Sequence, residues 1–272
     1  MLVIESPAPK HQPDWVFTVG SFYFPHTRCP RAHYPRQEAL AGTGSYEFID
    51  GRSFPAIHIK QLHPYHDYLK KACAAIKDEK EQFLPDIFPG PASKPWKKPT
   101  SPYWMGYYCS SAVTPLLKNT YEAAKGAADA ALTGADLLAK RKVSDVYALC
   151  RPPGHHAGPR MFGGYFYFNN VAVAAHYLSR RGKVAILDID YHHGDGTQEH
   201  FISRSDVFTS SIHGDPRFDF PYVSGYSREL GTAKGKGQNR NFPVPIDAKF
   251  DVYRRALKKA VATLKKIKPS TL

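Results

Sequence analysis

Two short stretches carry side chains able to bind a metal and move protons. Asp190 and His192 stand two residues apart, directly after the run Val184-Ala185-Ile186-Leu187-Asp188. In extended backbone, residues i and i+2 point to the same side, so this carboxylate and imidazole can reach one ion. An Asp oxygen and a His nitrogen together suit Zn²⁺, or a non-haem Fe²⁺ or Mn²⁺. Spacing of this kind also arises by chance, and its weight comes from what surrounds it. His155 and His156 are adjacent, behind Pro152-Pro153-Gly154. Two histidines near a Lewis acid can act as general base and general acid. Asp188 and Asp195 are available to hold each imidazole in one tautomer.

The elements that must position these residues alternate along the chain. Val146–Cys150 reads as a strand, Asn170–Arg181 as a helix and Val184–Asp188 as a buried strand. Thr197–Ser203 then reads as a short helix and Val207–His213 as a further strand. Strand, helix, strand, helix, strand predicts a parallel sheet with right-handed crossovers. Ligands of such sheets bind beyond the carboxyl ends of the strands. There the sequence reads RPPGHH, DIDYHHGDG and SIHGDP. Upstream, helices are expected at His66–Lys77 and Tyr121–Arg141. Residues 85–105 hold six prolines and are expected to lack regular structure. Lys234–Gly237 reads as a flexible loop.

RPPGHHAGPRMFGGYFYFNNVAVAA, VAILDIDYHHGDGTQEHF and VFTSSIHGDPRFDFP resemble, in order, the core motifs of the histone deacetylase superfamily. The Gly163-Gly164-Tyr165 and SIHGDP segments are most similar to those of its bacterial acetylpolyamine amidohydrolases. The likeness is dense from about Tyr107 to Asn241. It implies an arginase/deacetylase-like three-layer α/β/α fold with a mainly parallel sheet, as a single domain over 1–272.

The resemblance also implies roles. Asp190 and His192 match two of three zinc ligands. His155 and His156 match the tandem histidines that activate water and protonate the leaving amine, with Asp188 and Asp195 behind them. Tyr165, Gly164 and Phe220 match the lining of the acyl channel. Asp188, Ser211 and the backbone of Asp190 and His192 match a structural K⁺ site. The family's third zinc ligand, an Asp, and its carbonyl-polarising Tyr lie further along than Leu272, so the metal site is expected to be incomplete here. The Pro-rich stretch with Trp96, Tyr103 and Trp104 matches a dimer-forming insertion, which implies a homodimer.

Bulk properties agree with an ordinary globular protein. Of 272 residues, 42% are hydrophobic and 13% aromatic, enough for a sizeable core. The N-terminus lacks the pattern of a secretory signal, and no apolar run is long enough to span a membrane. Cys29, Cys73, Cys109 and Cys150 are far apart, which excludes a disulfide framework and is read as a reducing cytoplasm. The net charge of +13 is partly local. From Val252 onward every charged side chain is basic, and Leu257, Ala260, Val261, Leu264 and Ile267 recur at helical spacing. That pattern is an amphipathic helix with a solvated basic face, so nucleic acid is not expected as a partner.

The function expected is zinc-dependent hydrolysis of an N-acyl amine, acetyl-lysine-like or another small amide. An inactive fragment or pseudoenzyme is the second expectation. A two-metal ureohydrolase is disfavoured by the tandem histidines. An acetylpolyamine is the alternative substrate. Against it, Lys97 to Thr120 contains no acid and carries Lys97, Lys98 and Lys118, a poor mouth for a polycation.

Overall fold

The computed structural model describes residues 1–8, 16–19, 22–25, 40–90 and 100–272, with 16–19 and 22–25 by backbone alone. Trp96, Lys97, Lys98 and Cys29 lie outside the described residues. The chain divides into two compact units, Met1–Gly154 with Arg160–Asn170, and His155–Pro159 with Val171–Leu272.

In the first unit, β1 (Leu2–Glu5) is followed by the antiparallel pair β2 (Val16–Val19) and β3 (Phe22–Pro25). β4 (Glu47–Asp50) and β5 (Val146–Leu149) flank β1 in a three-stranded parallel sheet. Among the described residues, the helices longer than one turn are α1 (His66–Ala75) and α2 (Thr120–Ala139). α2 packs against β1 and β5. Seven of its fifteen buried positions are alanine and two are glycine, which lets its backbone come close to the sheet. A Cβ on its Gly134 would meet Val146 Cγ1 at 3.2 Å. The core beside α1 is aromatic and tied by polar atoms. Tyr65 Oη donates to the Tyr167 carbonyl at 2.8 Å, and His63 Nε2 accepts from the Asn169 amide at 2.9 Å. Nδ1 of His63, 2.9 Å from Tyr65 Oη, is therefore the protonated nitrogen.

In the second unit, β6 (Val184–Asp188), β7 (Val207–Gly214) and β8 (Asn239–Val244) form a parallel sheet in that order. Its helices are α3 (Asn170–Leu178, all but Asn170), α4 (Asp195–Phe201) and α5 (Phe250–Ile267). Strand alternation separates two chemistries. On one face Ala185 and Phe208 pack with Leu264 of α5, joined by Leu187 and Ile267. On the other, Asp188 stands in register with Ser211 and Asn241, and Thr209 with Asn239. The apolar face holds the sheet together, and the polar face carries the candidate chemistry. Beyond α5, Thr271 pairs in parallel with Val184 on β6, and its carbonyl accepts from the Ala185 amide at 2.9 Å.

The structure departs from expectation in several places. Among the described residues β5 pairs with β1, and β7 pairs with both β6 and β8. α3 stops at Leu178, three residues early, ahead of the Arg180-Arg181-Gly182 turn. α4 starts at Asp195 rather than Thr197, because Gly194 turns the chain into the helix. Within Lys234–Gly237, one 3₁₀ turn spans Ala233–Gly235. Another, Pro102–Trp104, lies in the Pro-rich stretch, with Pro at its start, where a missing N–H costs nothing. β8 is an unanticipated strand. No helix among the described residues is long and apolar enough to cross a membrane.

Candidate active site

His155, His156, Asp188, Asp190, His192 and Asp195 all belong to the second unit and converge. Asp188 is the last residue of β6 and Asp195 the first of α4, so the DIDYHHGDG stretch between them forms one rim. Asp188 Oδ1 accepts from the Asp190 amide at 3.0 Å, and Asp190 Oδ1 accepts from the His192 amide at 2.9 Å. These local bonds fold the strand end into a tight turn.

Each histidine has its own carboxylate. His155 Nδ1 lies 2.9 Å from Asp188 Oδ2, and His156 Nδ1 lies 2.7 Å from Asp195 Oδ1. A carboxylate only accepts, so each Nδ1 donates and the neutral ring's Nε2 is the acceptor nitrogen. The close approach explains a glycine in the motif. A Cβ on Gly194 would stand 2.3 Å from Asp188 Oδ2 and 3.2 Å from His155 Nδ1.

The electrostatics separate the two histidines. Burial opposes charge on His155, but the Asp188 hydrogen bond and the charges of Asp188, Asp190 and Asp195 outweigh it, so its pKa is raised. At His156, burial outweighs the Asp195 hydrogen bond, the His155 charge adds to it, and the pKa is lowered. Asp190, although burial pushes it up, is held down to about 2 by His192 and His155.

Asp190 Oδ1 and His192 Nδ1 are 3.6 Å apart. Two ligands each about 2.0–2.1 Å from a tetrahedral zinc would lie roughly 3.4 Å apart. The pair therefore fits one ion with little adjustment, and both side chains are accessible, 53% and 43% exposed. Two donors do not close a zinc site, and among the described residues no three His, Cys, Asp or Glu side chains are placed to hold one ion together. His155 Nε2 stands 4.0 Å from Asp190 Oδ1, and the His156 and His192 rings are 6.2 Å apart, which puts both histidines beside that pair.

Phe220 meets the His156 ring edge-on at 4.8 Å and the His192 ring at 6.0 Å. Tyr165 and Gly164 belong to the first unit. They occupy a turn closed by two hydrogen bonds between Gly163 and Phe166. Both have positive φ, 60° at Gly164 and 75° at Tyr165, as a type I′ turn demands. Tyr165 N donates to Thr114 Oγ1 at 2.9 Å, which pins it. Ser211 is buried on β7 opposite Asp188.

Three residues not singled out from sequence support the site. His213 Nε2 is 2.9 Å from the Gly225 carbonyl, so that nitrogen carries the proton. Nδ1 then accepts from Ser211 Oγ at 2.7 Å, committing the only proton of that hydroxyl. Glu229 Oε2 accepts from the Gly225 amide at 2.9 Å and from Gln198 of α4 at 2.7 Å. Asp219 stands beside His192. Two residues of this kind, a His two positions after the strand's Ser and an Asp before Phe220, are visible in SIHGDPRFDFP, but nothing in the spacing marks their contacts.

Parallel sheets flanked by helices define an α/β protein of the arginase/deacetylase fold. The chain belongs to the histone deacetylase domain family, whose model matches residues 26–272. It is 48% identical to an acetylpolyamine amidohydrolase of Mycoplana ramosa over 155 residues, 56% of this chain and 45% of that one. It is 47% identical to acetylpolyamine amidohydrolase 2 of Pseudomonas aeruginosa, over 58% of this chain and 46% of that one. The chain thus spans about half the length of the curated relatives it matches. The crystal structure of an acetylpolyamine aminohydrolase from Burkholderia pseudomallei superposes with a TM-score of 0.86 at 29% identity, covering 99% of this chain and 79% of that one.

Proposed function

We propose that this chain carries the proton-transfer half of a zinc-dependent amidohydrolase that removes an acyl group from an amine. The observation that carries the reading is the pair of histidines, each bonded through Nδ1 to its own carboxylate, beside Asp190 and His192. Asp190 and His192 would hold the zinc, together with groups this chain does not show. A zinc bound there supplies Lewis-acid polarisation of the amide carbonyl and a water acidic enough to react near pH 7.

Hydrolysis consumes one water. A bond forms from water oxygen to the acyl carbon, the carbon–nitrogen bond breaks, and one proton passes from the water to the amine. His156 suits the transfer, since its lowered pKa leaves Nε2 unprotonated at neutral pH. His155 holds its proton to higher pH and offers positive charge where negative charge develops. Phe220, edge-on to both His156 and His192, would shield that space and guide an acyl chain. Asp188 and Ser211 would form part of a K⁺ site behind it. The substrate class is a small N-acetyl amine, acetyl-lysine or an acetylated polyamine, and the names of the relatives support the amine part of this reading. A homodimer in the reducing cytoplasm completes the proposal.

The test is acetate release from an N-acetyl amine before and after dialysis against a chelator. Activity that falls with zinc removal and returns with zinc supports the reading. Acetate release indifferent to the chelator rejects zinc dependence.

A further inference from the structure

The surroundings of His192 differ on its two sides. Nδ1 looks to Asp190, 3.6 Å away, while Nε2 looks to Asp219 Oδ1 at 3.7 Å. Asp219 is well fixed for a loop residue. Its Oδ1 accepts from the Phe220 amide at 2.9 Å, and the carboxylate lies by the Tyr191 phenol, whose pKa it raises. The carboxylate is 20% exposed and is held against the segment that carries the metal-type pair. A distance of 3.7 Å is ion-pair contact, about half an ångström outside a hydrogen bond.

We propose that Asp219 is a positioning residue that draws the proton of His192 to Nε2 and so leaves Nδ1 bare for the ion shared with Asp190. The inference rests on the zinc reading for its purpose but not for its geometry. A neutral imidazole has one N–H and one acceptor nitrogen, and the groups beside it decide which is which. Asp190 alone would attract that proton to Nδ1, the position where it blocks metal binding. Asp219 supplies the opposing pull from the far side. An ion on Nδ1 would polarise the ring and strengthen the attraction of Nε2–H to a carboxylate. Carboxylate partners of ligating histidines act in this way, raising ligand basicity and fixing ring orientation, and their loss costs about 10–100-fold in metal affinity. Asp219 also places Phe220, through the bond from its own next amide, against the ring it orients. One side chain thereby sets both a ligand and the wall beside it.

The experiment uses the whole chain with histidine labelled in ¹⁵N, together with zinc affinity from competition against a chromogenic chelator. Asp219→Ala should move the neutral His192 ring toward the Nδ1–H form and weaken zinc binding about 10–100-fold. Asp219→Asn, which keeps an acceptor without the charge, should fall between. Tyr191→Phe, which removes the hydroxyl beside Asp219 and leaves the carboxylate, should match wild type in both readouts within twofold. A purely structural role would lower the melting temperature without changing the tautomer. Unchanged tautomer and affinity in Asp219→Ala overturn the proposal, as does a Tyr191→Phe loss equal to that of Asp219→Ala. If Asp219→Ala fails to fold, the wild-type spectrum decides, since a neutral His192 protonated on Nδ1 overturns it equally. Wild type that binds no zinc removes the zinc reading, while the tautomer comparison still judges Asp219 by itself.

Discussion

His155 and His156 are consecutive, with ring centroids 4.0 Å apart, yet their surroundings drive their proton affinities in opposite directions. Such a separation lets one imidazole hold a proton at the pH where its neighbour is free to take one. His156→Ala should therefore remove the proton carrier and lower kcat by about 10²–10⁴-fold. His155→Ala should also slow turnover, through lost charge rather than a lost base. The metal-type pair is Asp190 and His192, with neither tandem histidine assigned as a ligand, so zinc content should be unchanged in both. Zinc lost along with activity in either variant would mean that the roles are wrongly assigned.

Gly194 offers a test of how closely the first histidine must be held. A methyl group there would overlap Asp188 Oδ2, the atom that receives the His155 proton. Gly194→Ala should push that carboxylate aside and misplace His155 by a fraction of an ångström to an ångström. Displacements of this size cost about 10²-fold in well-oriented sites. The expected result is a drop in kcat of that order with KM nearly unchanged. A variant as active as wild type would show that the His155–Asp188 contact has no part in turnover.

The legibility of the fold followed the strength of each local pattern. β6 was readable to the residue because Val184–Asp188 is apolar and bounded by Gly182 and the DIDYHHGDG rim. β8 was not, because Asn239-Arg240-Asn241-Phe242-Pro243-Val244 runs three polar residues into three apolar ones, without alternation, and includes a proline. Its Asn239 and Asn241 are buried against Gln198, a partner about forty residues away that no local window contains. The strand order was equally hidden, since it depends on which edges meet in space. At the site, Asp188, Asp190, His192 and Asp195 were legible from spacing within one stretch, and the tandem histidines from their position after a strand. Asp219 and Glu229 were not, because their meaning lies in a loop that returns to the sheet.

Buried neutral histidines give the pH dependence of stability a definite sign. Burial lowers His193 to about 3 and His200 to about 4. A histidine with a lowered folded pKa binds its proton more readily when unfolded. Its contribution is present above about 6.5 and is lost as pH falls toward the folded value. Each should cost about 1.4 kcal/mol per pH unit across that window. His200 donates from Nε2 to the Ala157 carbonyl at 3.2 Å, a bond that glutamine can imitate. Urea melts between pH 7 and 4.5 should show a shallower loss for His200→Gln than for wild type. Parallel curves would rule out His200 as an acid-labile group.

Ser210 marks a place where sequence and packing disagree. It sits on the apolar face of β7, opposite Leu187, with its hydroxyl buried and without a hydrogen-bond partner among the described residues. An unpaired buried hydroxyl costs about 1–3 kcal/mol. Ser210→Ala removes the hydroxyl with almost no change in volume. The variant should be as stable as wild type or more so, by up to a few degrees in Tm, with the polar face and activity untouched. A fall in Tm would show that the hydroxyl has a partner, such as an ordered water, that offsets its burial.

Substrate charge is where the residues of this chain and the names of its relatives pull apart. The relatives are acetylpolyamine amidohydrolases, whereas this chain carries a net charge of +13 and no acid between Lys97 and Thr120. A positive field lowers the local concentration of a polycation and raises that of neutral or anionic amides. The effect acts on encounter and binding, so it should appear in KM rather than kcat. Acetylspermidine should show a higher KM than a neutral aryl-acetamide or an acetyl-lysine peptide. Because the repulsion is screened, that KM should fall as salt is raised from about 50 mM to 300 mM, while the KM of the neutral amide stays level. The opposite pattern, a low KM for acetylspermidine that rises with salt, would require carboxylates at the mouth of the site. It would place the substrate of this chain among the acetylated polyamines and discard the charge argument.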